Sequence, residues 1–323
     1  MASAPKTLRE AIIYFSDYAN CRKAVEAIRW PDGVVKCPRC GSDKVTYLDN
    51  ARVWKCYGAH PKAKFSLKVG TIFEDSAVGF EKWLPALWLL TNCKNGISSY
   101  ELGRALGVTQ KTAWFMLSRL RLALQDGQTG GKLGGVVEVD ETFIGGKARF
   151  MHKSKKERLG LTQSQSMIGK VAVMGLLERN TERGQSKVRL VTIKGRRRHE
   201  LQGQVHAHVE RGSTVNSDYH KSYMGLNDQG FVHNVVDHAE RYVDGNVHTN
   251  GLENFWSLLK RSIKGTYVSI EPCHLFRYLD EQAFRFNQRK GTDASRFALA
   301  LKGIINKRLT YSALTGQEVP QTC

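Results

Sequence analysis

The chain has 323 residues, with 49 Lys and Arg against 30 Asp and Glu for a formal charge of +19, and 41% of its residues are hydrophobic. Length and composition are those of a globular protein of two or three domains, which excludes a mainly disordered or low-complexity chain. The positive excess points to a polyanionic partner, because neutralising phosphates with Lys and Arg is the sequence-independent part of nucleic-acid affinity; a merely solubilising basic surface is the alternative.

No stretch is long enough to span a bilayer. The apolar run Trp83–Leu90 has eight residues and contains Pro85, where roughly 20 are needed. The opening MASAPKTLREAIIYF lacks the apolar core and cleavage site of a signal peptide. Seven cysteines, of which only Cys37, Cys40 and Cys56 cluster, fit a reduced cytoplasmic compartment with a metal site better than a disulfide framework. A cytoplasmic, nucleoid-associated location with no membrane partner is expected.

In chain order, residues 1–34 form a helical segment, with Leu8, Ala11, Ile12, Phe15, Ala24, Val25 and Ile28 at helical spacing, ending at the turn Trp30-Pro31-Asp32-Gly33. Residues 35–79 read as a zinc ribbon. Cys37-Pro-Arg-Cys40 offers two thiolates to one tetrahedral ion from a tight turn. Cys56 and His60 follow, with strand-like Val45–Leu48 and Val53–Lys55 flanking the two pairs. Either all four ligate a structural Zn²⁺, or His60 is a loop residue and the fourth ligand lies elsewhere; Tyr57-Gly58-Ala59 is a long spacer for a second knuckle.

Residues 80–126 read as helices carrying a helix-turn-helix. Ser98 or Ser99 caps a first helix that turns Leu102 and Leu106 inward, Gly107 supplies a left-handed turn, and Thr109 caps a second helix with Trp114 and Leu117 inward. The exposed first turn of that helix, Gln110, Lys111 and Thr112, is where such motifs reach base edges. Arg119 and Arg121 are either backbone contacts to DNA or a polar face, and an ordinary helical hairpin uses the same turn chemistry. Residues 127–135 form a linker, with five glycines between Asp126 and Gly135.

From Val136 to about 290, strands and helices alternate. Strands are expected at Val136–Asp140, Lys170–Leu177, Val188–Ile193, Thr214–Ser217 and Phe231–Val236, and helices at His199–Glu210, Tyr219–Leu226, Gly251–Ile263 and His274–Asn287. That order suggests a mixed sheet covered by helices. The basic run Lys147–Arg158 is either a solvated hairpin tip or a phosphate-contacting arm. Residues 291–323 read as a helical tail.

Three carboxylates stand out. Asp140 ends a strand on which Glu138 shares its face and Glu141 takes the other. Asp218 sits at the tip of a second strand, or else caps a following helix. Glu253 opens a helix whose stripe Leu252, Phe255, Trp256 and Leu259 faces a core, with Lys260 two turns further on the same side and Arg261 next to it. Between Asp218 and Glu253 lie 34 residues. Asn250 reads as a helix cap, or else as a contact to DNA or a metal-bound water. Glu138 reads as a core-edge residue, or else as a support for the metal ligands. His220, His233 and His238 read as packing or surface residues, and Asp280-Glu281 as a rival source of the third acid.

Strand–Asp, strand–Asp, then Glu on a helix with a basic residue seven further on, looks like the DDE catalytic core of transposases and retroviral integrases. More narrowly, RWPDGVVKCPRCGS, GTIFEDS, the helix-turn-helix, VDETFIGGK, HTNGLENFWSLLKRSIKGTY and HLFRYLDEQAFRFNQR resemble, in the same order, the ISXO2-like (IS1595) insertion-sequence transposases. The resemblance implies an α/β, RNase H-like fold for residues 136–290. It also implies a catalytic set of Asp140, Asp218, Glu253 and Lys260, with Asp140 bridging two Mg²⁺ ions, Asp218 and Glu253 on one each, and Mn²⁺ able to substitute. Two such ions roughly 3.5–4 Å apart clamp the attacking and leaving oxygens of a phosphodiester, and Mg²⁺ needs few protein ligands beyond carboxylates. Double-stranded DNA, as transposon ends and target, is the implied partner, met by Gln110, Lys111, Thr112, Arg119, Lys260 and Arg261, and at least a dimer on DNA is implied. A catalytically silent DNA-binding regulator and an RNase H-like nuclease are the alternatives.

Overall fold

The computed structural model describes residues 5–125, 131–145, 152–158, 170–179, 185–236 and 247–315. Parts of the Gly-rich linker (126–130) and of the basic run (147–151), together with Gly146 and His238, lie outside the described residues. The chain divides into two compact units, one of residues up to Gln125 together with those from Lys290 onward, the other from Asp126 to Arg289.

The first unit opens with α1 (Leu8–Ser16) and α2 (Tyr18–Arg29). The expected single helix breaks at Asp17, whose carboxylate accepts the Ala19 N–H and caps α2. Ala11, Phe15 and Val25 are buried, but Ile12 is 51% exposed. A small antiparallel sheet follows, β1 (Val45–Leu48), β2 (Val53–Cys56) and β3 (Lys64–Phe65), with Trp54 between Trp30 and Phe65. Next come α3 (Phe80–Asn92), α4 (Ser99–Leu106) and α5 (Gln110–Leu124). Ser98 and Glu101 form a reciprocal capping box on α4, and Thr109 caps α5. Gly107 turns between these helices at φ +60°, a conformation costly for any residue with a Cβ. Two more helices, α10 (Asp293–Lys302) and α11 (Tyr311–Thr315), belong to this unit too. Phe297 of α10 packs on Phe15 and Trp88.

Arg119 does not face outward as a DNA contact would. It is 4% exposed, lies over the Phe115 ring, and spends its guanidinium on the carbonyls of Leu309 and Glu74 at 3.1 and 2.8 Å. On a helix packed this deeply, its long stem and fork serve as a backbone clamp rather than a phosphate ligand. Arg121 is buried as well. Gln110 and Lys111 are exposed, Thr112 is half-buried and Leu117 buried, while Trp114 is only half-buried.

The second unit is built on five strands in the order β6-β5-β4-β7-β8: β4 (Val136–Gly145), β5 (Lys170–Glu178), β6 (Lys187–Ile193), β7 (Thr214–Asp218) and β8 (Val232–Val236). The first three pair antiparallel, while β4–β7 and β7–β8 pair parallel. With helices on both faces, β5 is buried along almost its whole length, as its apolar run requires. One face carries Val137, Val139, Met174 and Val215 against Leu201 and Val205 of α7 (Arg198–His208). The other carries Val173, Leu177 and Val188 against α8 (Asn250–Ser262) and α9 (Leu275–Asn287). A short helix, α6 (Lys153–Arg158), occupies the end of the basic run.

Where a helix is expected over Tyr219–Leu226, the chain makes only a single 3₁₀ turn at Lys221–Tyr223. Gly225, at φ +86°, ends it, and Tyr223 is fully buried as a plug rather than as one member of a helical stripe.

Candidate active site and metal-ligating cluster

In the first unit, Cys37, Cys40, Cys56 and His60 bring one ligand atom each to within 4.8 Å of one another. Among the described residues this is the one group of three or more metal-binding side chains so closely gathered. Cys37 Sγ is 3.4 Å from His60 Nε2, and Cys40 Sγ is 3.6 Å from Cys56 Sγ. The knuckle is set by backbone bonds from Cys37 N–H to the Ser42 carbonyl and from Gly41 N–H to the Cys37 carbonyl, and the Gly58 N–H donates to Cys56 Sγ. Burial alone would raise the Cys37 thiol, but the backbone N–H groups of Arg39 and Cys40 and the neighbouring thiols outweigh it and bring it down to about 7. A Cys₃His set of this closeness suits a tetrahedral Zn²⁺ and leaves no open position for a substrate.

In the second unit, the parallel register pairs Val139 with Ser217, so the next rung sets Asp140 and Asp218 side by side on the sheet face covered by α8. Asp140 Oδ2 accepts the Trp256 Nε1–H at 2.8 Å and Oδ1 accepts the Glu141 N–H at 2.8 Å. Burial pushes the Asp140 carboxyl up, the two hydrogen bonds oppose it, and the negative charges of Asp218 and Glu253 add to the rise. Asp140 thus feels both other acids, but the three carboxylates are not gathered as closely as the Cys/His cluster. Asp218 Oδ1 is buried and accepts no hydrogen bond among the described residues. Glu253 and Lys260 lie exposed on α8, as does Arg261. A carboxylate raised first by burial and then by its acidic neighbours, beside a second one with a buried unpartnered oxygen, is a donor set that a hard divalent cation fits, since the ion's charge favours the ionised form.

Glu141 takes the opposite face from Asp140, as strand alternation requires, and accepts the Tyr223 hydroxyl. Burial first, then Asp218 and Asp140, push its carboxyl up to about 7 against the lowering effect of Tyr223 and Arg196. The rival acids are engaged elsewhere: Glu281 is fully buried with Arg285 and Tyr267, and Asp280 pairs with Arg277. His220 Nδ1 bonds the Ser222 N–H and His233 Nε2 the Ser217 hydroxyl. Asn250 makes no helix cap; it lies exposed at the start of α8.

Two features carry no local sequence signal. Trp256 reads as one more member of an apolar stripe, yet its indole N–H reaches Asp140. Room for it exists because Gly175 faces Asp140 in the β4–β5 register; a Cβ there would stand 2.7 Å from the Trp256 ring and 2.8 Å from Leu252. Glu138, for which the sequence leaves open a core-edge place or a supporting one, is a buried carboxylate that meets the first turn of α8, a partner no local pattern names.

Residues 132–287, which contain every strand of the larger sheet, match the ISXO2-like transposase domain. Residues 16–58, ending two short of His60, match the transposase zinc-ribbon domain. Both segments are thus similar to transposase domains, one over the larger sheet and one over the cysteine cluster. A relative from Halobacterium salinarum, described as an uncharacterized protein in transposable element ISH50, is 29% identical over 241 residues, covering 72% of this chain and 79% of the relative. Among the described residues no helix is long and apolar enough to cross a membrane.

Proposed function

We propose that this chain is a DNA transposase that binds the terminal inverted repeats of an insertion sequence and catalyses Mg²⁺-dependent cleavage and joining of DNA strands. The observation that carries this reading is the parallel β4–β7 register, which sets Asp140 and Asp218 on adjacent strands, with α8, the helix that carries Glu253, packed on the same sheet face. The strand order, with β4 central and flanked by an antiparallel and a parallel partner, supports an RNase H-like core.

Asp140, Asp218 and Glu253 would hold two Mg²⁺ or Mn²⁺ ions, which when bound activate a nucleophilic oxygen and stabilise charge on the phosphate under attack. The chain's own groups prepare the site. Trp256 and the Glu141 N–H fix both oxygens of Asp140, so that it presents a set orientation. Asp218 Oδ1 is buried and has no hydrogen-bond partner among the described residues. Lys260, seven residues after Glu253 and therefore roughly 10 Å along the helix, would hold a flanking phosphate, with Arg261 beside it. Gln110, Lys111 and Thr112 at the start of α5 would meet the end sequence in the major groove, with α4–α5 acting as a helix-turn-helix. The Cys37/Cys40/Cys56/His60 cluster would hold a structural Zn²⁺. Double-stranded DNA would be engaged at two ends at once by a homo-oligomer, in the cytoplasm at the nucleoid.

The test is strand cleavage of a supercoiled plasmid carrying the element's own ends, with Mg²⁺ added to the full-length protein. Wild type is expected to nick and join, and Asp140→Asn to do neither while still binding the ends. Cleavage retained in Asp140→Asn overturns the assignment. Binding without cleavage by the wild type identifies a silent regulator, and cleavage of RNA–DNA hybrids without strand transfer identifies a ribonuclease.

A further inference from the structure

Glu138 lies two residues before Asp140 on the same face of β4 and is 1% exposed. Its Oε1 accepts the Arg179 Nε–H at 2.5 Å, with His248 Nδ1 3.6 Å away. Its Oε2 accepts the backbone N–H of Leu252 at 2.9 Å. Leu252 immediately precedes Glu253. Arg179 also donates to the His248 carbonyl, just ahead of α8. The helix lacks a side-chain cap of its own, since Thr249 at the N-cap makes no such bond; an N–H of its first turn is met instead from the neighbouring strand. Gly251 permits the approach, because a Cβ there would stand 2.8 and 2.9 Å from the two Glu138 oxygens.

We propose that Glu138 is a positioning residue that sets the separation of Asp140 and Glu253, by tying the backbone next to Glu253 to the strand that carries Asp140. The proposal rests on the reading of Asp140 and Glu253 as metal ligands. Apolar packing of Leu252, Phe255 and Leu259 holds α8 on the sheet, but it is not directional and lets a helix slide or rotate slightly. A charge-assisted hydrogen bond to one chosen N–H is directional. The buried carboxylate is tolerated because Arg179 neutralises it and the helix N-terminus favours negative charge. The neutral isostere Glu138→Gln would present an amide to Arg179 and weaken both bonds.

Gly251→Ala is the sharper test. Its Cβ would displace the buried Glu138 carboxylate, so a lower melting temperature is expected under either reading, and the chemistry and Mn²⁺ affinity discriminate between them. Wild type, Glu138→Gln, Gly251→Ala and Asp140→Asn are compared as full-length proteins. The readouts are single-turnover cleavage of the end-bearing plasmid, affinity for a duplex of the end sequence, Mn²⁺ affinity by calorimetry, and melting temperature. Displacements of about an ångström at a reacting centre cost up to about a hundredfold in rate. Both positioning variants are therefore expected to cleave tenfold to a hundredfold more slowly and to bind Mn²⁺ more weakly, with duplex affinity unchanged. Wild-type rate and Mn²⁺ affinity in both variants, beside an inactive Asp140→Asn, overturns the proposal alone. So does a loss of rate that merely follows a fall in melting temperature with Mn²⁺ affinity intact. Full activity and Mn²⁺ binding in Asp140→Asn overturns the metal-ligand assignment itself.

Discussion

Trp256 shows how one side chain joins a core to a site. Its ring fills space between α8 and the sheet, and its N–H holds one oxygen of Asp140 while the Glu141 N–H holds the other. Hydrogen bonds to charged groups are worth about 1.5–3 kcal/mol, so Trp256→Phe, which keeps most of the ring, is expected to slow single-turnover cleavage by tenfold or more. Gly175→Ala would push a Cβ into the same ring, and overpacking of this kind costs roughly 1–3 kcal/mol; a lowered melting temperature would register it. An unchanged rate in the first and an unchanged melting point in the second would contradict this account. The three acids can be singled out in the sequence from local strand and helix patterns, although Asp140, expected to end its strand, lies in the middle of β4, which continues to Gly145. The partners of those acids were not. Gly175 faces Asp140 only through a register between strands 35 positions apart along the chain, and no local period encodes which residue a strand will oppose.

Among the elements, long and strongly periodic segments follow the sequence closely: α8, α9 and four strands of the larger sheet fall within a few residues of their expected bounds, while β4, expected to stop at Asp140, runs on to Gly145. Short segments between glycines do not. Tyr219–Leu226 has helical spacing, yet Gly225 and the burial of Tyr223 turn it into a 3₁₀ turn. The helix α5 shows the same limit on its outer and inner sides. An arginine near a recognition helix reads equally well as a phosphate contact or as a clamp, and only the return of Leu309 to its side decides for the clamp. Removing a buried guanidinium leaves two carbonyls unpaired, at a cost of about 1–3 kcal/mol each. Arg119→Ala is therefore expected to lower the melting temperature markedly. Lys111→Ala, on the exposed first turn, is expected to leave melting unchanged, to weaken DNA binding across sequences, and to reduce the salt slope of binding by about 1. Titrating fluorescent end DNA at several salt concentrations checks this, and equal effects of the two substitutions would contradict it.

For the whole molecule, the excess of basic residues over acidic ones points to a polyanionic partner before any element is placed, and matches to two transposase domains are compatible with that direction. What the sequence hid is how distant segments combine. The last helices read as a tail, but Phe297 of α10 closes the core around Phe15 and Trp88, and the Ile72 N–H donates to the Ile304 carbonyl. Glu138 and α8 are a second case, in which a buried charge meets a backbone N–H 114 residues away. Long-range pairings of this kind are selected by total packing rather than by any nearby pattern.

Under the proposed function, Asp140, Asp218 and Glu253 together hold divalent cations beside a DNA phosphate. Crystals of the full-length protein grown with Mn²⁺, with data collected at the manganese absorption edge, test it most directly. The account predicts anomalous peaks in contact with Asp140 and shared with Asp218 and Glu253, and their loss in Asp140→Asn. Manganese bound only elsewhere, with those three carboxylates bare at saturating Mn²⁺, would contradict it.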